Sequence, residues 1–236
     1  MGWKHCKIRG RVSVHKRRRI SRQKYSIILR SFIADIPARK TAKIANVNRK
    51  TVDRYYKMFR ALIIQAALQE REQIQLHNGI EVDESYFGPS RIRGKRGRGA
   101  SKKIIVLGLL KRQGRVYTQI INRVAQQELL PIIRRVVQSG SDIYTDGWKS
   151  YNALAIYGYN HKKVMHKKNE FVRDKVIHIN GVESFWAWAK KRFAQFHGIK
   201  KSLFPQYLLE TEWRFNHRYT LHQDMIKLIK DKSNLL

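Results

Sequence analysis

The spacing of apolar residues first changes near residue 79, from helical to alternating, and that change divides an all-helical stretch from a mixed one. Before that point Tyr25, Ile28, Leu29 and Phe32 recur at helical spacing, which places them on one face of a helix. Asp35-Ile36-Pro37 interrupts the pattern, because proline disfavours helix at the residue before it. A short helix over 38–45 follows, then the turn Asn46-Val47-Asn48, then a second helix from Arg49 carrying Val52, Tyr56, Phe59 and Leu62 on one face. Two helices around a compact turn, with Arg49, Lys50, Thr51 and Arg54 at the start of the second, read as a helix-turn-helix. From residue 79 to 87 apolar and polar residues alternate, as on a strand. The stretches 104–110, 115–121, 142–145 and 161–165 read as further strands, and 125–138, 149–158, 180–195 and 206–218 as helices. That order predicts a mixed α/β sheet with flanking helices, preceded by a small all-α domain.

The expected organisation is a basic arm over 1–22, a helix-turn-helix domain and linker over 23–78, a catalytic domain over 79–220 and a tail over 221–236. Charge then limits the partners. The chain carries 50 Lys and Arg against 17 Asp and Glu, a formal net charge of +33, and a folded core with that excess calls for a polyanion. DNA is the leading candidate. No apolar run of about 18 residues exists, so no membrane span is expected. Cys6 is the single cysteine, which excludes a disulfide framework and a CxxC zinc site. A cytoplasmic, nucleoid-associated setting fits.

Against this basic background three acids stand out. Asp83 follows Val82 in the first strand, Asp146 ends the strand 142–145, and Glu183 lies between Val182 and Phe185 on a helix. Carboxylates from separate elements are the natural ligands for a pair of divalent cations, about 3.5–4 Å apart, in phosphoryl transfer. Val182, Phe185, Trp186, Ala189 and Phe193 make a core-facing stripe on that helix, with Glu183 at its edge. Lys190, seven residues on, falls nearly in line with Glu183 and is placed to meet a phosphate. Glu81 and Glu84 flank Asp83 and are read as facing away from it. Arg93, Lys95, Arg96 and Arg98, in the basic loop 88–103, are candidates for gripping DNA, as is Lys149. Trp148 and Tyr151 are candidates for stacking on an unpaired base, with core packing as the competing use. His178 is open to a structural or a proton-transfer role.

Three segments carry a family resemblance: Val82-Asp83-Glu84-Ser85-Tyr86-Phe87-Gly88, Tyr144-Thr145-Asp146-Gly147-Trp148-Lys149-Ser150-Tyr151 and His178-Ile179-Asn180-Gly181-Val182-Glu183-Ser184-Phe185-Trp186. Together with Trp213-Arg214-Phe215-Asn216 they resemble the DDE transposases of bacterial insertion sequences, in the group related to Merlin elements (ISXO-like transposase domain). The resemblance covers roughly residues 80–218. It implies a ribonuclease-H-like fold and Mg2+-dependent cleavage at element ends, followed by joining of the 3′-hydroxyl to target DNA. It implies two Mg2+ ions, with Mn2+ as a substitute, held by Asp83, Asp146 and Glu183. The implied partners are the terminal inverted repeats, target DNA and further copies of the chain, with no small-molecule cofactor. Related proteins often begin with a cysteine-rich zinc ribbon, which Cys6 alone cannot form. Asn180 competes with Glu183 as third residue, or serves as a further ligand or helix cap. A helix-turn-helix regulator, or a transposase-derived protein without strand transfer, is the alternative reading.

Overall fold

The computed structural model describes residues 20–88, 103–146, 149–164, 178–196 and 198–234, with only the backbone at 149–150, 152–153 and 232–234. The chain separates into two compact units. One is built on Gln73–Arg192, the other on residues through Glu72 together with Phe193–Leu236.

In the helical unit, α1 (Arg22–Ile33) begins where the Ser21 hydroxyl accepts from the Lys24 amide at 3.3 Å. Asp35, at φ +55°, and Pro37 separate it from α2 (Ala38–Ile44). Asn46, at φ +46°, turns the chain again. The Asn48 side chain then accepts from the Lys50 amide at 2.8 Å and opens α3 (Arg49–Glu72), the capping role that asparagine's short acceptor suits. Tyr56 anchors the turn. Its hydroxyl donates to the Ile36 carbonyl at 2.8 Å and accepts from Thr41 at 2.8 Å. Val52, Phe59 and Ile63 meet Ile28 and Phe32 in the core.

Two later helices complete this unit. They are α6 (Phe204–Asn216) and α7 (Leu221–Asn234); α4 (Gln126–Val136) and α5 (Asn180–Ala194) go with the sheet unit below. Leu209, Trp213, Met225 and Ile229 share the core of α1 and α3, so the segment 221–236 expected as a tail carries a packed helix. Acids on α6 are buried against arginines. Glu210, fully buried, takes Arg60 at 2.6 Å and Arg214 at 2.9 Å. Glu212 takes Arg71 at 2.6 Å. Arg214 also donates to the Phe32 and Ile33 carbonyls, at 2.8 and 3.0 Å, and so satisfies the end of α1, where carbonyls lack helical partners. His217 bridges Glu70 at 3.0 Å and Asp224 at 2.7 Å. Burial opposes its charge, but the two carboxylates outweigh burial and raise its pKa.

The other unit holds a five-stranded sheet: β1 (Ile80–Phe87), β2 (Ile104–Lys111), β3 (Val116–Ile121), β4 (Asp142–Asp146) and β5 (Asn160–Val164), in the order β3-β2-β1-β4-β5. β1, β2 and β3 form an antiparallel meander, while β4 runs parallel to β1 and β5 parallel to β4. The parallel pairs need crossovers. These are α4 (Gln126–Val136), which tolerates Pro131, and a 3-10 helix over Lys149–Tyr157. Ile80, Val82, Leu107 and Leu109 face Leu129, Ile133 and Leu154 in a second core. The opposite face carries α5 (Asn180–Ala194). Gly108 makes room there, since a Cβ would lie 2.5 Å from the Trp186 ring.

Glu210→Ala would leave two arginines in a buried site without their carboxylate. Breaking such a pair from one side costs about 3–5 kcal/mol. Denaturant unfolding followed by circular dichroism is expected to show a loss of that order, and the exposed Asp53→Ala control is expected to show almost none.

Candidate acidic site

The sheet register brings two of the three acids together. Val82 pairs with Thr145 across the parallel β1–β4 ladder, so the next residues, Asp83 and Asp146, sit side by side on neighbouring strands. Strands lie about 4.8 Å apart, and in-register parallel neighbours share a face. That face is the one α5 covers: Asp83 pairs with Gly108, against which Trp186 packs. Glu183 lies exposed in the first turn of α5.

The electrostatics join all three acids and Lys190. The Asp83 pKa is pushed up to about 6. Burial is the largest cause, and the charges of Asp146 and Glu183 add to it. A backbone hydrogen bond from Glu84 and the charge of Lys190 pull the other way. Crowding of this kind raises a carboxyl because like charges in a desolvated place resist joint ionisation.

Glu81 has a structural part that alternation, applied correctly, would have revealed. Residues two apart on a strand share a face, so Glu81 lies on the side of Asp83, not opposite it. It is 1% exposed. Its carboxylate accepts from the Val182 amide at 2.9 Å and from Arg112 Nε at 3.1 Å, with His178 Nδ1 at 3.5 Å. Arg112 also donates to the His178 carbonyl at 2.7 Å, and its guanidinium lies 3.7 Å from the centre of the Tyr144 ring. Gly181 is required beside this cluster, since a Cβ there would come within 2.8 Å of Glu81 Oε2. A strand carboxylate thus caps the helix that bears Glu183, in the charge sense a helix N-terminus favours. The first α5 hydrogen bond runs from the Glu183 amide to the Ile179 carbonyl. Ile179 therefore holds the cap position, one of the uses open to Asn180, and Asn180 is an exposed first residue of the helix.

Glu84 does face away from Asp83, yet it is not a bystander. Tyr151 donates its hydroxyl to Glu84 Oε1. The Glu84 pKa is pushed up to about 7, by burial first and then by Asp83 and Asp146, with the Tyr151 hydrogen bond opposing. Tyr151 is 1% exposed in the sheet core, so no ring face is open to a base, and its expected stacking role gives way to packing. Arg93, Lys95, Arg96, Arg98 and Trp148 lie outside the described residues, as does the side chain of Lys149. Arg49, Lys50 and Arg54 are exposed at the start of α3, and Thr51 is half-buried. Arg49 reaches Asp53 at 3.5 Å.

The donor set suits a hard divalent cation: three carboxylates, one of them crowded by the other two, gain from a positive charge among them. Among the described residues, no group of three or more His, Cys, Asp or Glu side chains converges tightly enough to hold an ion. The strand pair is in register, and Glu183 is the exposed member.

Comparison with known proteins places this site in a family. The profile of the ISXO2-like transposase domain matches residues 75–216. The chain belongs to that transposase family. The match spans the five strands and all three acids. A Haemophilus influenzae relative, described as an uncharacterized transposase-like protein, is 39% identical over 103 residues, 44% of this chain and 82% of that one. The strand order shows a mixed five-stranded α/β sheet with flanking helices, in line with the fold class expected from the sequence. Among solved structures, the Mos1 transposase paired-end complex with left transposon end covers 93% of this chain and 81% of its own, at 13% identity and a TM-score of 0.32. The Mos1 strand transfer complex matches at 15% identity and a TM-score of 0.28, over 93% of this chain and 80% of its own. Likeness at that level is too weak to bear on function. No helix among the described residues is long and apolar enough to cross a membrane.

Two outcomes are expected of this transposase-family chain. Folded Asp83 and Glu84 hold protons up to about pH 6 and 7, whereas unfolded carboxyls release them near pH 4. Between those values the native state binds more protons, so stability falls as pH rises. In a chelator, the urea midpoint is expected to be lower near pH 8 than near pH 5, and Glu84→Gln to recover part of the difference. Glu81→Ala leaves Arg112 and the Val182 amide without their acceptor and is expected to destabilise the sheet unit by about 3 kcal/mol, measured by the same titration.

Proposed function

We propose that the chain is an insertion-sequence transposase that binds the terminal repeats of its element, cleaves a DNA strand there and joins the new 3′-hydroxyl to target DNA. The observation that carries this reading is the placement of Asp83 and Asp146 at matched positions on adjacent parallel strands, with Glu183 and Lys190 close enough to act on the Asp83 charge, in a chain of a transposase family.

Each residue has a part in this reading. Asp83, Asp146 and Glu183 hold divalent cations, with Asn180 available as a further oxygen ligand. Mg2+, or Mn2+ in its place, supplies charge stabilisation for the attacking and leaving oxygens when bound. Lys190 meets a phosphate of the bound strand. Glu81 and Arg112 keep the first turn of α5 seated so that Glu183 faces the strand pair. Hydrolysis of one phosphodiester leaves a 3′-hydroxyl. That hydroxyl attacks a target phosphodiester, forming one bond while another breaks, so strand transfer needs no external energy source. Arg49, Lys50, Thr51 and Arg54 present the start of α3 to DNA, where phosphate contacts fix register and a few side chains read base edges. Arg93, Lys95, Arg96, Arg98 and Lys149 add sequence-independent grip, and Trp148 supplies a stacking ring. Two element ends must be held together, which calls for a dimer or larger assembly.

One observation favours a second reading, a transposase-derived DNA-binding protein without strand transfer: the absence of a converged three-acid group among the described residues. A single assay separates the two. With labelled terminal-repeat DNA, Mg2+ is expected to produce nicked and joined products. Asp83→Ala and Glu183→Ala are expected to lower both by more than about 100-fold while leaving binding of the repeat within about two-fold. Binding without product from the unaltered chain would establish the second reading.

A further inference from the structure

The helical unit contains a cleft of about 960 Å³, walled by α2, by one face of α3 and by the segment leading into α6. Its lining is cationic once internal pairs are taken into account. Asp53 is engaged by Arg49 at 3.5 Å, and Asp35 lies 3.7 Å from Arg214. Arg60 is held by the buried Glu210. Arg39, Lys40 and Lys57 remain: all three are exposed and line the cleft. None of their side chains makes a hydrogen bond or ion pair with another described residue. Opposite them stand aromatic rings. Phe196 and Tyr207, both half-buried, meet edge to face at 4.9 Å, and the Arg60 guanidinium lies 4.3 Å from the centre of the Tyr207 ring. Gln195 and Gln206 add side-chain amides to the wall.

We infer that this cleft binds an unpaired DNA strand, with phosphates against Arg39, Lys40 and Lys57 and a base against Phe196. Three features select this occupant. Uncompensated cations call for a polyanion. Aromatic faces beside them are the pattern of single-strand sites, because any base can stack on a ring without sequence readout. The wall is concave, whereas duplex phosphates lie on a convex surface that meets such a cleft only at its rim. The site adjoins the α3 start, since Arg49 is part of its lining, but Lys50 and Arg54, to which base reading is also assigned, lie outside it. It rests on the proposed function only in the choice of DNA as polyanion, and it acts without any metal ion.

The test is fluorescence anisotropy of the full chain in EDTA, with a labelled single strand and the corresponding duplex, across a salt series. The triple variant Arg39→Gln, Lys40→Gln, Lys57→Gln is expected to weaken single-strand binding by more than about ten-fold. It should also reduce the slope of log K against log salt by about 2, since each phosphate left without its cation takes away about 0.7. Phe196→Leu, which keeps bulk but removes the ring face, is expected to weaken single-strand binding by about ten-fold with the slope unchanged. The control triple Arg22→Gln, Lys227→Gln, Lys230→Gln removes the same charge from exposed positions outside the cleft and is expected to lower affinity by less than about three-fold. Circular dichroism confirms that each variant is folded. Equal losses in the cleft and control triples would overturn the inference, as would equal weakening of duplex and single-strand binding by the cleft triple. Because no cleavage is read, a chain inactive in strand transfer but sensitive at the cleft would count against the catalytic reading alone.

Discussion

One buried carboxylate ties together parts of the sheet unit that the chain delivers far apart. Glu81 on β1 receives the amide of Val182, the side chain of Arg112 and the approach of His178. A carboxylate that is 1% exposed has lost its water, and it keeps its place because hydrogen bonds and an opposite charge replace that water. Two residues later the same strand presents Asp83, and one residue beyond Val182 the helix presents Glu183. The angle and depth at which α5 meets the sheet therefore follow from a contact that involves neither acid. Gly181 and Gly108 serve the same docking by omission: a side chain at either would collide with Glu81 or Trp186.

The acids of this chain are few, and the structure puts several of them to one of two uses. Some, such as Glu210, Glu212 and Glu81, are buried against arginine and hold elements in place. Three others, Asp83, Asp146 and Glu183, come from β1, the end of β4 and the start of α5, where the charge of Lys190 only partly opposes their mutual repulsion at Asp83. The first use yields fixed geometry. The second yields a site whose charge is held in tension until a cation or a proton relieves it.

Much of this was legible in the sequence, for physical reasons. Periodicity marked the helices and strands because each buries one face, and proline at position 37 and asparagine at 46 marked the turns because of the backbone angles they permit. Asp83 and Asp146 stood out because an acid on a strand in a basic chain has few structural uses. What escaped was long-range. Nothing local in residues 204–216 shows that their helix joins α3 rather than the sheet, since that depends on Arg60 and Arg71 finding Glu210 and Glu212 about 140–150 positions away. Glu81 is within reach of the alternation rule, since residues 81 and 83 share a face of the strand. Glu84 and Tyr151 could not be paired without the crossover from β4 to β5.

The helical unit is discontinuous in sequence, and this has a consequence for synthesis. As the chain leaves the ribosome, α1, α2 and α3 emerge before the sheet, with Arg60 and Arg71 lacking their carboxylates and the apolar face of α3 lacking Trp213 and Met225. The whole sheet unit must follow before α6 supplies them. Domains usually mature in the order they are made, but here helices that appear early are among the last to be completed. A ribosome that stalls within the sheet region would release a fragment whose leading helices have no finished core, so a half-made protein would be poorly equipped to compete with intact copies.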